Sequence, residues 1–372
     1  MTDHDYKQSA YYLIYLIRCV LTGKQPAKQR LEKIDLNDLL YVAKEHSLSA
    51  ICAYALNSAG IDDPAFEEEK NKAIRKNIIL DAERMQILAR LEQEGIWYMP
   101  LKGVYLKDYY PMIGMRQMCD NDILFDKSFV DKTVEIMLSL GFYNDHNDFG
   151  HDIVFFKEPV SNFEMHTELF GGGTVYQMNE VFEEIIRDHR IKDDDSEYGY
   201  HFSNEDFYLY LIAHEYKHYV LEGIGIRPLV DVYVFLTKFG DELDREYIDS
   251  QLSRLGIADF ERDNREIAMK LFSGEKLDEK QKKMLDYFIF CGAFGSFENR
   301  VRNRLKSSDN SKAKYVLSRL FIDDKFIKYN YPFFYKYKIL IPFLPIYRVV
   351  KGFFKSRKRM FSEIRILKRL NK

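Results

Sequence analysis

The sequence predicts an α+β protein in which a small mixed β-sheet is flanked by helical regions on both sides along the chain. Before residue 95, apolar residues recur at helical spacing, which predicts amphipathic helices at 6–22, 34–57 and 64–94. Beyond residue 95 the pattern changes to short apolar or alternating runs, which are typical of strands. The predicted strands cover residues 96–99, 122–125, 153–157 and 162–168.

Changes in composition divide the chain, and 372 residues are enough for two or three domains. Gly95 ends the N-terminal helices, three glycines stand at 171–173, and a polar run covers 306–314. Helical spacing returns after the three glycines, so the second half is expected to be all-helical. The expected parts are an N-terminal helical region at 1–95, an α/β core at 96–175, a helical domain at 176–305, and a linker with a basic amphipathic segment at 306–372.

Cysteine usage and the N-terminal residues favour a cytoplasmic protein. The four cysteines are too far apart for a zinc module and are expected to be plain thiols in a reducing compartment. The N-terminus is polar, and Arg18 interrupts the apolar run behind it, which argues against a secretory signal. The longest apolar run, 339–347, contains two prolines and falls short of the roughly 20 residues that a membrane-spanning helix needs.

Charge is distributed unevenly along the chain. The formal net charge is −3, but residues 348–372 contain ten Lys or Arg and one Glu, a net +9, which leaves −12 on the remainder. Helical spacing from 351 to 372 predicts a basic amphipathic helix, which indicates contact with something anionic. Three interpretations stay open: the helix docks on the body or a partner protein, it makes peripheral contact with the inner face of a membrane, or it binds nucleic acid phosphates.

Three acidic residues form the strongest candidate site. Asp120 and Asp122 precede and open an apolar strand, and successive strand residues point to opposite faces, so both carboxylates lie on the same side. Glu164 lies on a later alternating strand, where it shares a face with His166. Paired carboxylates of this kind hold Mg²⁺ in enzymes that transfer phosphoryl or nucleotidyl groups. His166 would orient Glu164, contact the acceptor, or serve a structural role.

Residues 101–116 offer a candidate phosphate site. The turn containing Lys102 and Gly103 leads into a predicted helix, whose first amides attract phosphate. A Cβ at Gly103 would push a phosphate off the backbone, and Lys102 could add a point charge or simply be a solvated turn residue. Arg116 suits a triphosphate, or alternatively forms a salt bridge with the aspartates.

These residues together resemble a family. Leu101-Lys102-Gly103, the run from Arg116 to Leu124, Gly141-Phe142 and Glu164-Met165-His166 are similar to the uncharacterised nucleotidyltransferase family of the DNA polymerase beta-like superfamily. The superfamily's usual glycine motif is Gly-Ser or Gly-Gly, whereas Gly103 is followed by Val104, and the third acid is Glu164 rather than Asp. In the helical half, the resemblance rests on His214, His218, Arg227 and Asp231.

The resemblance implies a magnesium- or manganese-dependent enzyme that transfers a nucleoside monophosphate from a nucleoside triphosphate. Two metal ions on Asp120, Asp122 and Glu164 would hold the triphosphate and activate an acceptor hydroxyl. The acceptor is not a nucleic-acid template, and its class, whether small molecule, glycan precursor or protein, stays open. His214, His218, Arg227 and Asp231 would either line the far wall of the nucleotide cleft or hold helices together.

Two alternatives of other classes stay open. His214-Glu215-Tyr216-Lys217-His218 is a literal His-Glu-x-x-His, the motif with which zinc peptidases bind metal and place a general base. Asp231 or Glu222 would then supply a third ligand. The other alternative is a catalytically silent, antitoxin-like nucleotide-binding module that keeps the fold.

Overall fold

The computed structural model describes most of the chain, and the α+β class predicted from the sequence is confirmed. A four-stranded sheet stands between helical regions, as expected. The described residues are 1–144, 152–171, 177–292, 301–303, 305, 308, 311–322, 324, 326–327 and 331–369, with the side chains of 177 and 352–361 excepted.

The N-terminal region consists of helices that begin at side-chain caps. Thr2 and Asp5 cap each other's backbone amides at the start of the first helix, and Asp63 caps the long fifth helix ahead of Pro64. The single helix predicted at 34–57 is wrong: two helices occur there, because Ser47 adopts a left-handed φ of 54° that ends the first. The helices are α1 (Asp3–Leu21), α2 (Lys28–Leu31), α3 (Leu36–Glu45), α4 (Ser49–Ser58) and α5 (Pro64–Gln93).

The central sheet has the strand order β1-β2-β4-β3. Its middle pair, β2 and β4, is parallel, whereas β1 pairs antiparallel with β2 and β3 pairs antiparallel with β4. The elements are β1 (Tyr98–Pro100), α6 (Gly103–Leu106), β2 (Asn121–Phe125), α7 (Val130–Ser139), β3 (Asp152–Lys157) and β4 (Ser161–His166). The parallel pair matters for function because it places equivalent positions of two separate segments side by side.

The two faces of this sheet pack against different helices. Ile123 and Phe125 of β2 and Met165 of β4 point to a core that also includes residues of α5 and α7. Leu124, which points the other way, belongs to the larger core formed with the second half of the chain. Asp122 and Glu164 share the Leu124 face, so the candidate acids lie between the sheet and the helical second half.

The second half is mainly helical but contains one hairpin that the sequence prediction missed. Its two strands are two residues long each, too short to give an alternating pattern. The backbone amide of Tyr98 in β1 donates a hydrogen bond to the carbonyl of Tyr198, which lies between the two strands of this hairpin. The elements are α8 (Gln177–His189), β5 (Ile191–Lys192), β6 (Tyr200–His201), α9 (Asn204–Leu221), α10 (Arg227–Phe239), α11 (Arg245–Leu255), α12 (Ala258–Ser273) and α13 (Glu279–Cys291).

The C-terminal region is helical as far as it is described. Much of the polar linker predicted at 306–314 lies outside the described residues, and its last three residues begin a helix. The Tyr315 hydroxyl donates to the carboxylate of Glu363, and Arg319 forms an ion pair with the same carboxylate at 3.3 Å. The elements are α14 (Lys312–Leu320), α15 (Pro332–Lys336), a 3₁₀ helix (Lys338–Phe343) and α16 (Leu344–Arg369). Within the described part of the chain, every helix is too short or too polar to span a bilayer.

A buried histidine joins the N-terminal helices to the second half. His46 is fully buried at the end of α3, where its Nδ1 accepts the amide hydrogen of Ile226 at 3.2 Å. Its Nε2 lies 3.2 Å from the hydroxyl of Tyr6 in α1. Burial lowers the pKa of His46 from 6.5 to about 4, so the folded protein holds the neutral imidazole.

This histidine is expected to make the fold sensitive to acid. The unfolded chain binds the proton first, so stability is complete above about pH 6.5 and is lost as the pH falls towards 4. The shift corresponds to about 2–3 kcal/mol of unfolding free energy lost between pH 7 and pH 4.5. Urea unfolding at both pH values measures this loss. His46→Asn, whose amide oxygen can accept the Ile226 hydrogen, should be less stable at pH 7 and should lose less on acidification; an equal loss would contradict the assignment.

Candidate functional site

The parallel pairing of β2 and β4 brings two acidic residues from distant segments together. Asp122 stands directly opposite Glu164 in the register, and Leu124 stands opposite His166. Because alternate residues share a face, His166 lies on the same side as Glu164. Two short strands therefore collect two carboxylates and one imidazole over a small area of the sheet.

Asp122 is the centre of this group. Its Oδ1 lies 3.0 Å from Nε2 of His166, and its Oδ2 lies 3.1 Å from Nζ of Lys102. His166 Nε2 also lies 3.5 Å from Oε2 of Glu164. Burial alone would raise the pKa of Asp122, but the positive charges of Lys102 and His166 outweigh burial and lower it below the ordinary range. Asp122 is therefore a carboxylate at neutral pH.

Lys102 and His166 carry positive charge beside the acids. Burial by itself would lower both pKa values, yet the adjacent carboxylates raise the pKa of Lys102 above its ordinary value. For His166, hydrogen bonds to Asp122 and Glu164 raise the pKa to about 9. The imidazole is thus protonated and donates from Nε2 to the carboxylates, which fixes their orientation.

Asp120 lies next to this group rather than inside it. The pKa of Asp120 is raised to about 6, mainly by burial and next by the negative charge of Asp122, and Glu164 adds to the effect. A carboxyl group whose pKa is raised by neighbouring negative charge favours the arrival of a cation. The three predicted acids are therefore electrostatic neighbours, although the closest trio contains His166 in place of Asp120.

The donor set suits a hard divalent cation. One possible ligand atom each of Asp122, Glu164 and His166 lies within 4.8 Å of the other two, and this is the one such group found in the part of the chain that the structure describes. Because the protonated imidazole donates to the carboxylates, the metal ligands in this group are the two carboxylates. Carboxylate oxygens are the ligands preferred by Mg²⁺ and Mn²⁺, and metal binding by Asp120 stays a prediction. The residues present therefore fit the Mg²⁺ or Mn²⁺ expected from the sequence.

The turn before α6 is strained at Lys102. Lys102 has a φ of 42°, a left-handed conformation that is uncommon for a residue with a side chain. Its ammonium group meets Asp122, and this turn positions it there. Such outliers persist where the surrounding structure fixes them, and they concentrate at functional sites.

Gly103 is required for packing. A Cβ at this position would lie 2.7 Å from Nη1 of Arg116 and 2.9 Å from Cε of Met118. The sequence prediction ascribed this glycine to the approach of a phosphate. That assignment stays a prediction, and the structure adds a second reason for glycine, since the space that a Cβ would need is filled by the Arg116 guanidinium.

Arg116 is held by the second half of the chain. Its Nε and Nη2 donate to the two carboxylate oxygens of Asp231 at 2.8 and 3.0 Å, and the pair is buried. The Tyr110 hydroxyl donates to the same carboxylate at 2.7 Å. This arrangement joins the segment before β2 to α10. The predicted alternative of an ion pair with Asp120 or Asp122 is replaced by one with Asp231, and contact between Arg116 and a triphosphate stays a prediction.

Helix α9 lies beside the acidic group. Nζ of Lys102 is 5.9 Å from the ring centroid of Tyr210. The pKa of Lys217 is lowered by burial and by the charge of Lys102, while Asp152, Glu164 and Asp122 oppose that decrease. Tyr210, His214, Lys217 and His218 follow the i, i+4, i+7, i+8 spacing of one helical face. This face therefore forms the wall opposite the sheet.

Arg227, at the start of α10, is near Asp120. Its Nη1 lies 3.1 Å from Sγ of Cys119 and 3.3 Å from the carbonyl oxygen of Gln117. The charges of Arg227 and Asp120 interact, and the pKa of Asp120 is held down in part by this arginine. Lys102, Lys217 and Arg227 thus place three cationic side chains around the acids, an arrangement suited to a polyphosphate.

The His-Glu-x-x-His segment does not have the geometry of a zinc peptidase. Its glutamate, Glu215, is buried and accepts a hydrogen bond from Asn264 at 2.7 Å, so it does not face a substrate as a general base must. His214 and His218 lie with their Nε2 atoms 3.1 Å apart. Of the two predicted third ligands, Asp231 is engaged by Arg116 and Tyr110, and among the described residues neither Asp231 nor Glu222 forms a three-ligand group with the histidines. The described residues therefore lack the constellation that this motif would need.

A cavity of about 320 Å³ opens at the carboxyl ends of β2 and β4. Leu124, on the face of Asp122, forms part of its wall, and residues 167–169 follow β4 directly. The volume is in the range of small-molecule sites. The lining combines apolar, aromatic and charged side chains, including Trp97, Leu124, Glu168, Phe182, Ile186 and Arg190.

Comparison with known families agrees with this geometry. A family model described as uncharacterised nucleotidyltransferase matches residues 32–273, which include every site residue named above. The chain belongs to this nucleotidyltransferase family. The resemblance inferred from the sequence is thereby confirmed, and the protein is a nucleotidyltransferase enzyme. No curated protein and no solved structure matches the chain.

Sequence reasoning missed two residues that lie beside the acidic group. Tyr210 and Lys217 face the acids from α9, and both share the helical face of the two histidines that were noticed. Applying the i, i+4, i+7, i+8 spacing to His214 and His218 would have found them.

The segment matched by the family model ends before α13, so residues 274–372 lie outside that model.

Proposed function

We propose that this nucleotidyltransferase transfers a nucleoside monophosphate from a nucleoside triphosphate to an acceptor hydroxyl other than that of a nucleic-acid template, with Mg²⁺ or Mn²⁺. The observation that carries the proposal is the register that sets Asp122 opposite Glu164, with Asp120 and His166 adjacent. When bound, the metal ions would neutralise phosphate charge and lower the pKa of the acceptor hydroxyl.

Residues of the chain bind the triphosphate, orient the carboxylates and accept the proton of the acceptor. Lys102, Lys217 and Arg227 bind the triphosphate, and His166 orients the carboxylates through Nε2. Glu164, which is only partly buried, receives the proton of the acceptor hydroxyl. The acceptor oxygen bonds to the α-phosphorus, the bond from that phosphorus to its bridging oxygen breaks, and pyrophosphate leaves with the electron pair.

We further propose that the cavity beyond Leu124 receives the organic part of a substrate. Its position at the ends of the two acid-bearing strands supports this assignment, as does a lining that offers Trp97 and Phe182 for stacking and Glu168 for hydrogen bonding. Burial raises the pKa of Glu168, and the charge of Glu183 adds to that effect. The acceptor class, whether small molecule, glycan precursor or protein, remains the open part of the proposal.

We propose a cytoplasmic location for the enzyme. All four cysteines are free thiols, three of them buried, as expected for a protein in a reducing compartment. Peripheral contact of the basic C-terminal segment with the inner face of a membrane belongs to the same proposal.

The proposed donor is tested by thermal unfolding with ATP, GTP, CTP or UTP, each with and without Mg²⁺. A ligand that binds only the folded state stabilises it by about 2.7 kcal/mol at a concentration 100 times its Kd. We expect a metal-dependent increase in thermal stability with at least one nucleotide, and the loss of that increase in the Asp120→Asn/Asp122→Asn variant.

Ile186→Trp, which fills the cavity, should alter selectivity among the four bases if the cavity binds the base, and only acceptor use otherwise.

The same panel separates the proposal from the silent-module alternative. Metal-dependent nucleotide binding without pyrophosphate release, across acceptor pools of small molecules, glycans and proteins, would favour a nucleotide-binding module. Absence of any metal-dependent shift in the unaltered protein would contradict both interpretations.

A further inference from the structure

Residues 331–350 expose an unusual number of large apolar side chains. The exposed fractions are 84% for Ile339, 64% for Ile346, 61% for Phe343 and 60% for Phe333. Tyr347, Val349 and Val350 are also exposed. Burying such side chains is favourable, so an exposed group of them marks a surface for association.

Helix α16 has one side that is already occupied and another that is not buried by the described residues. Leu344 and Ile366 are buried, and Glu363 contacts Tyr315 and Arg319 of α14. On a helix with 100° per residue, Ile346, Val350 and Ile364 lie within about 40° of one another and well away from Leu344 and Ile366. The helix therefore docks on α14 with one side and presents an apolar stripe of Ile346, Val350 and Ile364 on the other, where exposed Lys368 also lies. Docking on α14 does not account for that stripe.

Positive charge accompanies the exposed apolar residues. Lys336 and Lys338 lie just before Ile339, and residues 348–372 carry a net +9 against −12 on the remaining chain. Among the described side chains, Lys351 is exposed one position after Val350. Apolar side chains beside lysine and arginine are characteristic of segments that lie in the headgroup region of an anionic membrane.

We infer that residues 331–369 form a surface that binds anionic phospholipid bilayers, and we call it the tail surface. Its apolar members are Phe333, Ile339, Phe343, Ile346, Tyr347 and Val350. These side chains enter the interface between headgroups and acyl chains, while the lysines and arginines contact lipid phosphates. The rest of the chain carries a net charge of −12 and is repelled by the same membrane.

Other binding partners of the tail surface agree less well with these observations. A second copy that packed its tail against this tail would bring two segments of net +9 together, which is electrostatically unfavourable. Nucleic acid would use the positive charge but would leave the apolar stripe of Ile346, Val350 and Ile364 in water. An anionic bilayer satisfies both the charge and the apolar surface.

Vesicle flotation of the full-length protein tests the inference. We expect at least about tenfold more protein with vesicles containing phosphatidylglycerol than with vesicles of phosphatidylcholine alone, and a decrease at high salt. Two variants should each lose at least most of this binding: Ile339→Ser/Phe343→Ser/Ile346→Ser, which removes apolar side chains, and Lys336→Glu/Lys338→Glu/Lys351→Glu, which reverses charge.

The matched control is Met85→Ser on α5, where the methionine is 71% exposed and lies outside the tail surface. It should bind vesicles like the unaltered protein. Equal recovery with neutral and anionic vesicles, no recovery with either, or variants that bind normally would each overturn the inference. Mass photometry that showed a dimer, or salt-sensitive binding to duplex DNA in place of vesicles, would identify one of the other occupants. Because this readout does not involve catalysis, its outcome is independent of the proposed transfer reaction.

Discussion

Replacing Asp122 with asparagine is expected to lower the rate of pyrophosphate release at least about a hundredfold. Altering a residue that only hydrogen-bonds to a metal ligand usually has a smaller effect. Asp122 binds both Lys102 and His166 and stands opposite Glu164. An amide in its place removes the central negative charge while nearly keeping the shape. The measurement is a coupled pyrophosphate assay with the nucleotide that gives the largest metal-dependent thermal shift.

The control for this prediction is Asp259→Asn, which changes an aspartate on α12 with an 88% exposed side chain. It should retain the unaltered rate. Glu164→Gln should resemble Asp122→Asn, because it removes both a metal ligand and the proposed proton acceptor. An Asp122→Asn protein that folds normally and keeps more than about half of the activity would show that the acidic group is not the catalytic centre.

Replacing Asp231 with alanine is expected to lower the free energy of unfolding by about 3–5 kcal/mol. The substitution leaves the Arg116 guanidinium buried without its bidentate partner and removes the acceptor of the Tyr110 hydroxyl. The nearby charge of Arg227 would then oppose that of Arg116. Urea unfolding followed by circular dichroism measures the change at pH 7.

Two further variants interpret this result. Asp259→Ala breaks the exposed pair with Arg262 and should change stability by less than about 1 kcal/mol. Arg116→Met/Asp231→Leu replaces the buried pair by apolar side chains and should recover much of the stability lost in Asp231→Ala. A loss below about 1 kcal/mol in Asp231→Ala would mean that the pair does not hold the two halves together.

The acid-bearing strands could be predicted because their signals are local. Alternation within 162–168 placed Glu164 and His166 on one face, and the apolar run after Asp120 placed a strand at Asp122. Parallel pairing of these strands then brought the acids into register. The family resemblance rested on the same residues, and the family match covers them.

Features that depend on distant contacts could not be predicted in the same way. The partner of Arg116 lies 115 residues further along the chain, and no local pattern indicates that it is Asp231. The break between α3 and α4 depends on the left-handed Ser47, a residue type that gives no turn signal comparable to glycine. The packing at Gly103 likewise became visible only when the Arg116 guanidinium was found where a Cβ of this residue would lie.

Direct titration of Mn²⁺, followed by electron paramagnetic resonance in the presence of a nucleoside triphosphate analogue that cannot be cleaved, tests the central claim most directly. The structure predicts stoichiometric Mn²⁺ binding by the unaltered protein. It predicts a loss of at least about tenfold in affinity in Asp122→Asn and in Glu164→Gln, and unchanged affinity in Asp259→Asn. Failure of the unaltered protein to bind Mn²⁺ with the nucleotide, or equal binding by all four proteins, would contradict the assignment of Asp120, Asp122 and Glu164 as the metal centre.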